Sequence, residues 1–356
     1  MFMQFKHLFS HGELGGIPIK NRVLMAPMTR SRANADGTAN ELMQSYYQQR
    51  ASAGIIISEG TQPSENGKGY CRTPGIHSAD QIKSWKAVTH GVSERAGSMI
   101  LQIMHCGRIA SKHNKAESAD TVAPSAIQAK GQMYTDKHGM ADFDQPRALS
   151  VSEITDVIAE YQQAALNAIE AGFAGVELHA TSGYLPAQFL STGSNKRNDD
   201  YGGSVSNRIR FVEEVLLAMS EAIGSERVGL RICPGNPFND LHDDNVEETF
   251  VTLLSRVNQM RLAYLHVIRM AEKITGVNTV NLAASNFKGP LVVNDSYGFE
   301  EAEHLVKSEQ AAAVSFARHF IANPDLPLKI RSGQKLNQFN PKTLYSPGAE
   351  GYIDYD

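Results

Sequence analysis

The sequence predicts a closed (β/α)8 barrel, a TIM barrel, and three observations carry that prediction. Short apolar runs alternate with longer amphipathic stretches along all 356 residues. The runs are apolar nearly throughout, as strands buried on both faces are. There are eight of them, and eight β-then-α units in one chain are the pattern of a closed parallel barrel. A doubly wound sheet is the rival. It would normally carry a G-x-G-x-x-G just after its first strand, and "RVLMAPMTRSRA" has none.

In chain order the predicted strands are 22–26 "RVLMA", 55–58 "IIIS", 99–104 "MILQIM" and 174–179 "AGVELH", followed by 227–232 "RVGLRI", 263–268 "AYLHVI", 290–294 "PLVVN" and 311–316 "AAAVSF". Helix-like segments lie between them. Residues 40–53 open on Asn40, a good N-cap, and residues 152–171 start with Ser152 and Glu153 and stop at Gly172. Residues 205–223 and 245–260 are similar, and 298–308 is shorter. Three segments fall outside the repeat. Residues 1–20 read as a Gly-rich hairpin plugging the N-terminal end of the barrel, and 334–356 as an irregular tail. Residues 105–150 form a long polar loop between strand three and its helix. A loop of that length in a compact domain is usually functional, so it is expected to cap the C-terminal face, where barrel active sites form. No linker marks a second domain, so residues 1–356 are expected to form one.

Composition narrows the function. Hydrophobic residues make up 42% and the formal net charge is -4, which gives no support for nucleic-acid or anionic-membrane partners. No stretch approaches the roughly 18 consecutive apolar residues of a membrane span. The start, "MFMQFKHLFSHGELGG", lacks a signal-peptide pattern. Three scattered cysteines, Cys71, Cys106 and Cys233, argue for a reducing compartment and against a disulfide framework or structural zinc. The expectation is a cytoplasmic protein without metal.

Barrel chemistry sits at strand C-terminal ends. Those ends carry Ala26, Pro27, Met28 and Thr29; Glu59 and Gly60; Gln102 with His105; His179 to Tyr184; Arg231 to Cys233; His266; Asn294, Asp295 and Ser296; and Ala317 with Arg318. Carboxylates are few and no His/Asp/Glu trio has metal-ligand spacing, so glycosidase-like pairs and hydrolytic metal sites find little support. Neutral donors and acceptors plus the fixed cation Arg231 suit a large planar heterocycle edged with carbonyl and N–H groups. An Arg just after strand eight matches the usual barrel phosphate site.

The motifs "NRVLMAPMTRSRA", "YYQQRASAGIIISEGTQ", "GKGYCRTPGIHS", "LQIMHCGR", "VAPSAI", "AIEAGFAGVELH", "NDDYGGSVSNRIRF", "FIANPDLP" and "GAEGYIDY" follow one another in order. Together they resemble the old yellow enzyme family, FMN-dependent ene-reductases on a (β/α)8 barrel. The resemblance implies non-covalent FMN, NADPH or NADH as reductant, and an enone or similar electrophilic alkene as substrate. It implies that Thr29 bonds near flavin N5 and O4, that the backbone of Ala26, Pro27 and Met28 lines the ring, and that Gly60 lies against it. Gln102 would hold the pyrimidine edge, and Arg231 would face N1 and O2, where reduced flavin carries negative charge. His179 and the residue three beyond it would bind the substrate carbonyl, and Tyr184 would protonate the α-carbon. Asp295, Ser296, Ala317 and Arg318 would surround the phosphate. The protein would be a monomer or a homo-oligomer.

The sequence departs from the family at several of these positions. Ser182 stands where asparagine or histidine is expected. Either the substrate oxygen sits closer, a water fills the gap, or the second donor is lost. Asn294-Asp295-Ser296-Tyr297 replaces a Gly-Gly-Tyr turn, and Phe316-Ala317-Arg318 replaces Phe-Gly-Arg. Asp295 either faces the phosphate, as an extra like charge, or turns away to cap the helix near Gly298. Gly60 replaces alanine and Met104 replaces tryptophan. Cys106 reads as a small variable residue, since no base is placed beside it. The leading reading is an FMN-dependent NAD(P)H oxidoreductase that reduces activated C=C bonds. The rival is a protein of the same fold with weak or lost FMN binding, serving as a ligand-binding or structural protein. A barrel lyase or isomerase acting on phosphorylated substrates is a third reading, and no strand-end lysine or carboxylate stands out as its catalytic group.

Overall fold

Eight parallel strands close on one another in the computed structural model, which describes residues 5–356. They are β1 (Val23–Met25), β2 (Ile56–Ile57), β3 (Met99–Ile103), β4 (Gly175–His179), β5 (Val228–Ile232), β6 (Tyr264–Ile268), β7 (Leu291–Asn294) and β8 (Ala313–Phe316). All eight coincide with predicted runs. Closure is made by β8 on β1, with Phe316 opposite Met25.

Side chains alternate along each strand, and that alternation builds two cores. Val176 and Leu178 of β4, Val228 and Leu230 of β5, and Leu265 and Val267 of β6 point outward into the helix layer. Inward-facing Leu24, Ile57, Ile100, Tyr264, Val292 and Ala313 fill the lower barrel. A hairpin of Gly12–Leu14 and Ile17–Ile19 closes that end, with Leu14, Ile17 and Ile19 joining the inner core. Each such buried side chain contributes about 1.5–3 kcal/mol. The hairpin expectation therefore holds for residues 12–19, while residues 1–4 lie outside the described residues.

The outer helices are α1 (Glu41–Gln49), α2 (Ala79–Ser93), α3 (Val151–Glu170), α4 (Val205–Ile223), α5 (Val246–Met260), α6 (Thr279–Asn286), α7 (Phe299–Lys307) and α8 (Leu326–Ser332). The sequence reading omits α2, α6 and α8. For α2 the signal was present: Trp85, Val88, Thr89 and Val92 are buried at i, i+3, i+4 and i+7, and Ser78 with Gln81 forms a capping box. The N-cap of α3 is Ser150, not Ser152, because the Glu153 carboxylate returns to the Ser150 N–H and completes a capping box there. Helix α1 ends at Gln49, four residues short of the predicted 53, since Arg50 leaves helical geometry.

Two irregular regions turn out to be ordered. Residues 105–150 contain a hairpin, Gln132–Thr135 with Gly139–Asp142, and a short parallel pair, Val122–Ala123 with Arg147–Ala148. The tail is gripped by two buried arginines. Arg30 Nη2 donates to Gly351 O at 2.7 Å, and Arg32 donates to the carbonyls of Thr343 and Leu344, both at 2.8 Å. Tyr352 stacks on Tyr46, with ring centroids 4.1 Å apart. The loop after β1 is therefore held from outside by the far end of the chain.

Candidate active site

Above the apolar layer the barrel interior becomes polar. Gln102, Glu177, Arg231, His266, Asn294 and Ser315 are all buried there. Strand register brings them together: Gln102 lies opposite Glu177, and Arg231 opposite His266. Gln102 Nε2 donates to Glu177 Oε1 at 2.7 Å, and Tyr264 O–H donates to Glu177 Oε2 at 3.0 Å. His266 Nδ1 lies 2.8 Å from Glu177 Oε2, and His266 Nε2 lies 2.7 Å from Ser315 Oγ. Burial opposes the Glu177 charge, but His266, Arg231 and Gln102 outweigh it and hold the carboxyl down at about 2. Burial and Arg231 together lower His266 to about 4, so its ring is neutral near pH 7.

At the rim, β4 ends on His179. Its ring and that of Tyr184 are 4.9 Å apart. The turn between them requires unusual backbone: Ser182 has φ 59° and Gly183 φ 83°. A Cβ at Gly183 would lie 2.4 Å from Asn239 Cβ, and Asn239 Nδ2 donates to the Ser182 carbonyl at 2.8 Å. That turn swings Tyr184 back over the mouth, where its O–H donates to Tyr70 at 3.2 Å. Burial, and then Tyr70, push the Tyr184 phenol well above its ordinary value. Burial, then Arg231, lowers His179 to about 3. The Ser182 side chain is half-buried. Ala129, Met133 and Phe143 of the 105–150 segment pack with Met104, Cys106 and Tyr184. Cys106 is buried and its thiol is pushed up to about 12, which agrees with an inert residue.

Ala26 is buried, and Pro27, Met28 and Thr29 are half-buried at the end of β1. Gly60 faces Met104: a Cβ on Gly60 would meet its Sδ at 2.5 Å and its Cβ at 3.0 Å. The two departures from the family are thus in contact, with Met104 using the space that alanine would occupy. Below them Glu59 is fully buried. Burial, partly offset by the Arg30 N–H and Tyr47, raises its carboxyl to about 7.

The residues expected at the phosphate follow β7 and β8, and Asp295 and Arg318 join the two segments. Asp295 has φ 77° and Ser296 φ 58°, so both occupy the left-handed region where glycine is at ease. Ala317 has φ -96°, which any residue adopts, so its methyl group brings no backbone strain. Asp295 does not cap α7: Gly298 is the N-cap and receives no side-chain bond. Its Oδ1 instead lies 3.6 Å from Arg318 Nη2. Arg269, which the sequence reading did not single out, donates to the carbonyls of both Asp295 and Ser296. The N–H groups of Ser296 and Tyr297 have no protein hydrogen-bond partner among the described residues.

Several polar groups at the mouth have no protein partner among the described residues. Arg231 Nε and His179 Nδ1 are buried without a hydrogen-bond partner. A flat ring with carbonyl and N–H edges and a phosphate tail fits this set. The sequence reading missed Glu177, Tyr70 and Arg269. Glu177 carried a signal, since it lies two residues before His179 and so faces the same interior. Tyr70 is 114 residues from its partner and carried none.

A closed parallel barrel whose upper interior is polar and holds the buried cation Arg231 is an architecture compatible with a flavin oxidoreductase. Residues 7–337 match the model of the NADH:flavin oxidoreductase / NADH oxidase family. A Leishmania infantum protein described as a probable flavin mononucleotide-dependent alkene reductase is 39% identical over 346 residues, covering 96% of this chain and 95% of that protein. The old yellow enzyme homologue from Zymomonas mobilis superposes with a TM-score of 0.93 at 37% identity, covering 98% and 99% of the two chains. Morphinone reductase in complex with tetrahydroNAD gives a TM-score of 0.91 at 41% identity, covering 98% and 97%. The chain belongs to the old yellow enzyme family. It is an FMN-dependent oxidoreductase with a nicotinamide nucleotide as reductant. No helix among the described residues is long and apolar enough to cross a membrane.

Proposed function

We propose that the protein reduces the activated C=C bond of α,β-unsaturated carbonyl compounds. The observation that carries this reading is the buried pair of His179 and Tyr184 at the end of β4, with His179 Nδ1 lacking a partner. The relative named as an alkene reductase supports it. Bound FMN would supply hydride chemistry, with NADH or NADPH as its reductant and the alkene β-carbon as acceptor.

The chain's own residues do the rest. Thr29, the Ala26 to Met28 backbone, Gly60 and Gln102 would hold the ring, and Arg231 would offset charge on reduced flavin. Ser296, Ala317 and Arg318 would hold the phosphate, with Asp295 beside Arg318. His179 is neutral and donates an N–H to the substrate carbonyl oxygen, and Ser182 offers a second, shorter donor. Both withdraw electrons from the alkene. Tyr184 keeps its proton at neutral pH and gives it to the α-carbon, whose developing basicity exceeds that of a phenolate. The 105–150 segment caps the site and keeps water from Tyr184. One observation favours a second reading, weakened FMN retention: the Asp295 carboxylate lies 3.6 Å from Arg318, the arginine proposed to hold the phosphate.

The purified protein should be yellow, bleach anaerobically with a nicotinamide nucleotide, and turn over cyclohexenone. Tyr184→Phe should slow alkene reduction by about 10²-fold or more while leaving flavin reduction intact. A colourless protein that takes up no FMN would overturn the reading. Full alkene turnover in the variant would overturn the proton-donor assignment alone.

A further inference from the structure

One carboxylate and one guanidinium share the polar layer under the mouth, yet they do not pair. Glu177 spends its oxygens on the Gln102 amide at 2.7 Å, the Tyr264 hydroxyl at 3.0 Å and His266 Nδ1 at 2.8 Å. Arg231 Nη2 donates to the Asn294 side-chain Oδ1 at 2.8 Å, its Nη1 lies 3.4 Å from the His266 ring nitrogens, and its Nε stays buried and unpartnered. Two orientations follow. The Gln102 NH2 is aimed at Glu177, so its carbonyl oxygen is free to face a ligand N–H. His266 donates through Nδ1 to the carboxylate and accepts from Ser315 through Nε2, which fixes its tautomer.

We propose that Glu177 is a positioning residue for the flavin seat: it orients the Gln102 amide, and its charge offsets that of Arg231 and so lowers the redox potential of bound FMN. Reduction adds negative charge to the pyrimidine edge. A cation there favours it, and a buried carboxylate in the same network opposes it. The inference rests on the flavin seat described above and not on the identity of the alkene.

The test is Glu177→Gln, which keeps shape and removes the charge. The midpoint potential of its bound FMN should rise by at least a tenfold shift in the redox equilibrium, about 30 mV for a two-electron couple. FMN affinity, read by flavin fluorescence titration, should fall as the Gln102 amide loses its fixed orientation. A merely structural role lowers the unfolding midpoint and leaves the potential unmoved, and that result overturns the proposal. Should Glu177→Gln fail to fold, Tyr264→Phe removes one donor from the carboxylate and leaves its charge less neutralised. Its FMN potential should then fall, and an unchanged or raised potential overturns the proposal. A wild-type protein that holds FMN but reduces no enone would sink the substrate reading while leaving this comparison of potentials valid.

Discussion

Replacing Asp295 should tighten FMN binding, and the structure sets the scale of the gain. The carboxylate lies beside Arg318, with side chains 41% and 70% exposed, in a turn whose carbonyls Arg269 already holds. A like-charge contact at about 5 Å in a medium of effective dielectric near 20 would cost about 3 kcal/mol per phosphate charge. The exposure of Asp295 moves the medium toward water and reduces this to about 1 kcal/mol, or about fivefold in affinity. Asp295→Asn isolates that charge effect, because asparagine tolerates the left-handed φ of 77°. Asp295→Gly adds relief of backbone strain, about 1 kcal/mol, which should register in thermal stability rather than in affinity. The assay is titration of apoprotein with FMN, followed by flavin fluorescence quenching, at low salt and at about 1 M, where the Debye length falls to about 3 Å. The reasoning fails if Asp295→Asn binds FMN no tighter at low salt, or if its advantage survives high salt undiminished.

Ser182→Asn should tighten binding of phenol to the FMN-loaded protein by about 10- to 100-fold, the worth of a hydrogen bond to a charged oxygen. Its φ of 59° suits asparagine, so the unfolding midpoint should not drop, and unchanged phenol affinity in a spectral titration would refute the second-donor argument. Acid should destabilise the apoprotein. His105 and His179 are lowered to about 3 and His266 to about 4, so unfolding takes up their protons below the unfolded value near 6.5 and stability is lost as pH falls. Glu59, raised to about 7, works against this between about 4.5 and 7, where folding takes up its proton. For these groups alone the balance is uptake of about two protons on unfolding at pH 5.5 and about three at pH 4, where Glu177, held at about 2, adds its share. Urea melts across that range measure the slope, and flat stability from pH 6.5 to 4 would contradict the assignment of these histidines as neutral and buried.

The strands were legible because a strand buried on both faces needs apolar residues in unbroken short runs, and all eight runs became barrel strands. Helix α3 was legible for a similar local reason, although its cap lay two residues earlier than the first serine suggested. Helices α2, α6 and α8 were not recognised. In α2 the apolar stripe is diluted by Gly91 and by polar residues on its outer face. The strand-end residues His179, Tyr184, Gln102, Arg231 and Arg318 could be placed from sequence, because a barrel puts every strand terminus on one face.

What the sequence determined by itself was the list of residues at the mouth, since strand order and period two are local properties. Tertiary structure alone decided how those residues face one another. It gave the Glu177 carboxylate to Gln102, Tyr264 and His266 rather than to Arg231. It set Gly60 against Met104, and Asp295 beside Arg318 rather than on the helix cap. Each of these contacts joins different strands or loops, and only closure of the barrel brings such distant segments within hydrogen-bonding reach.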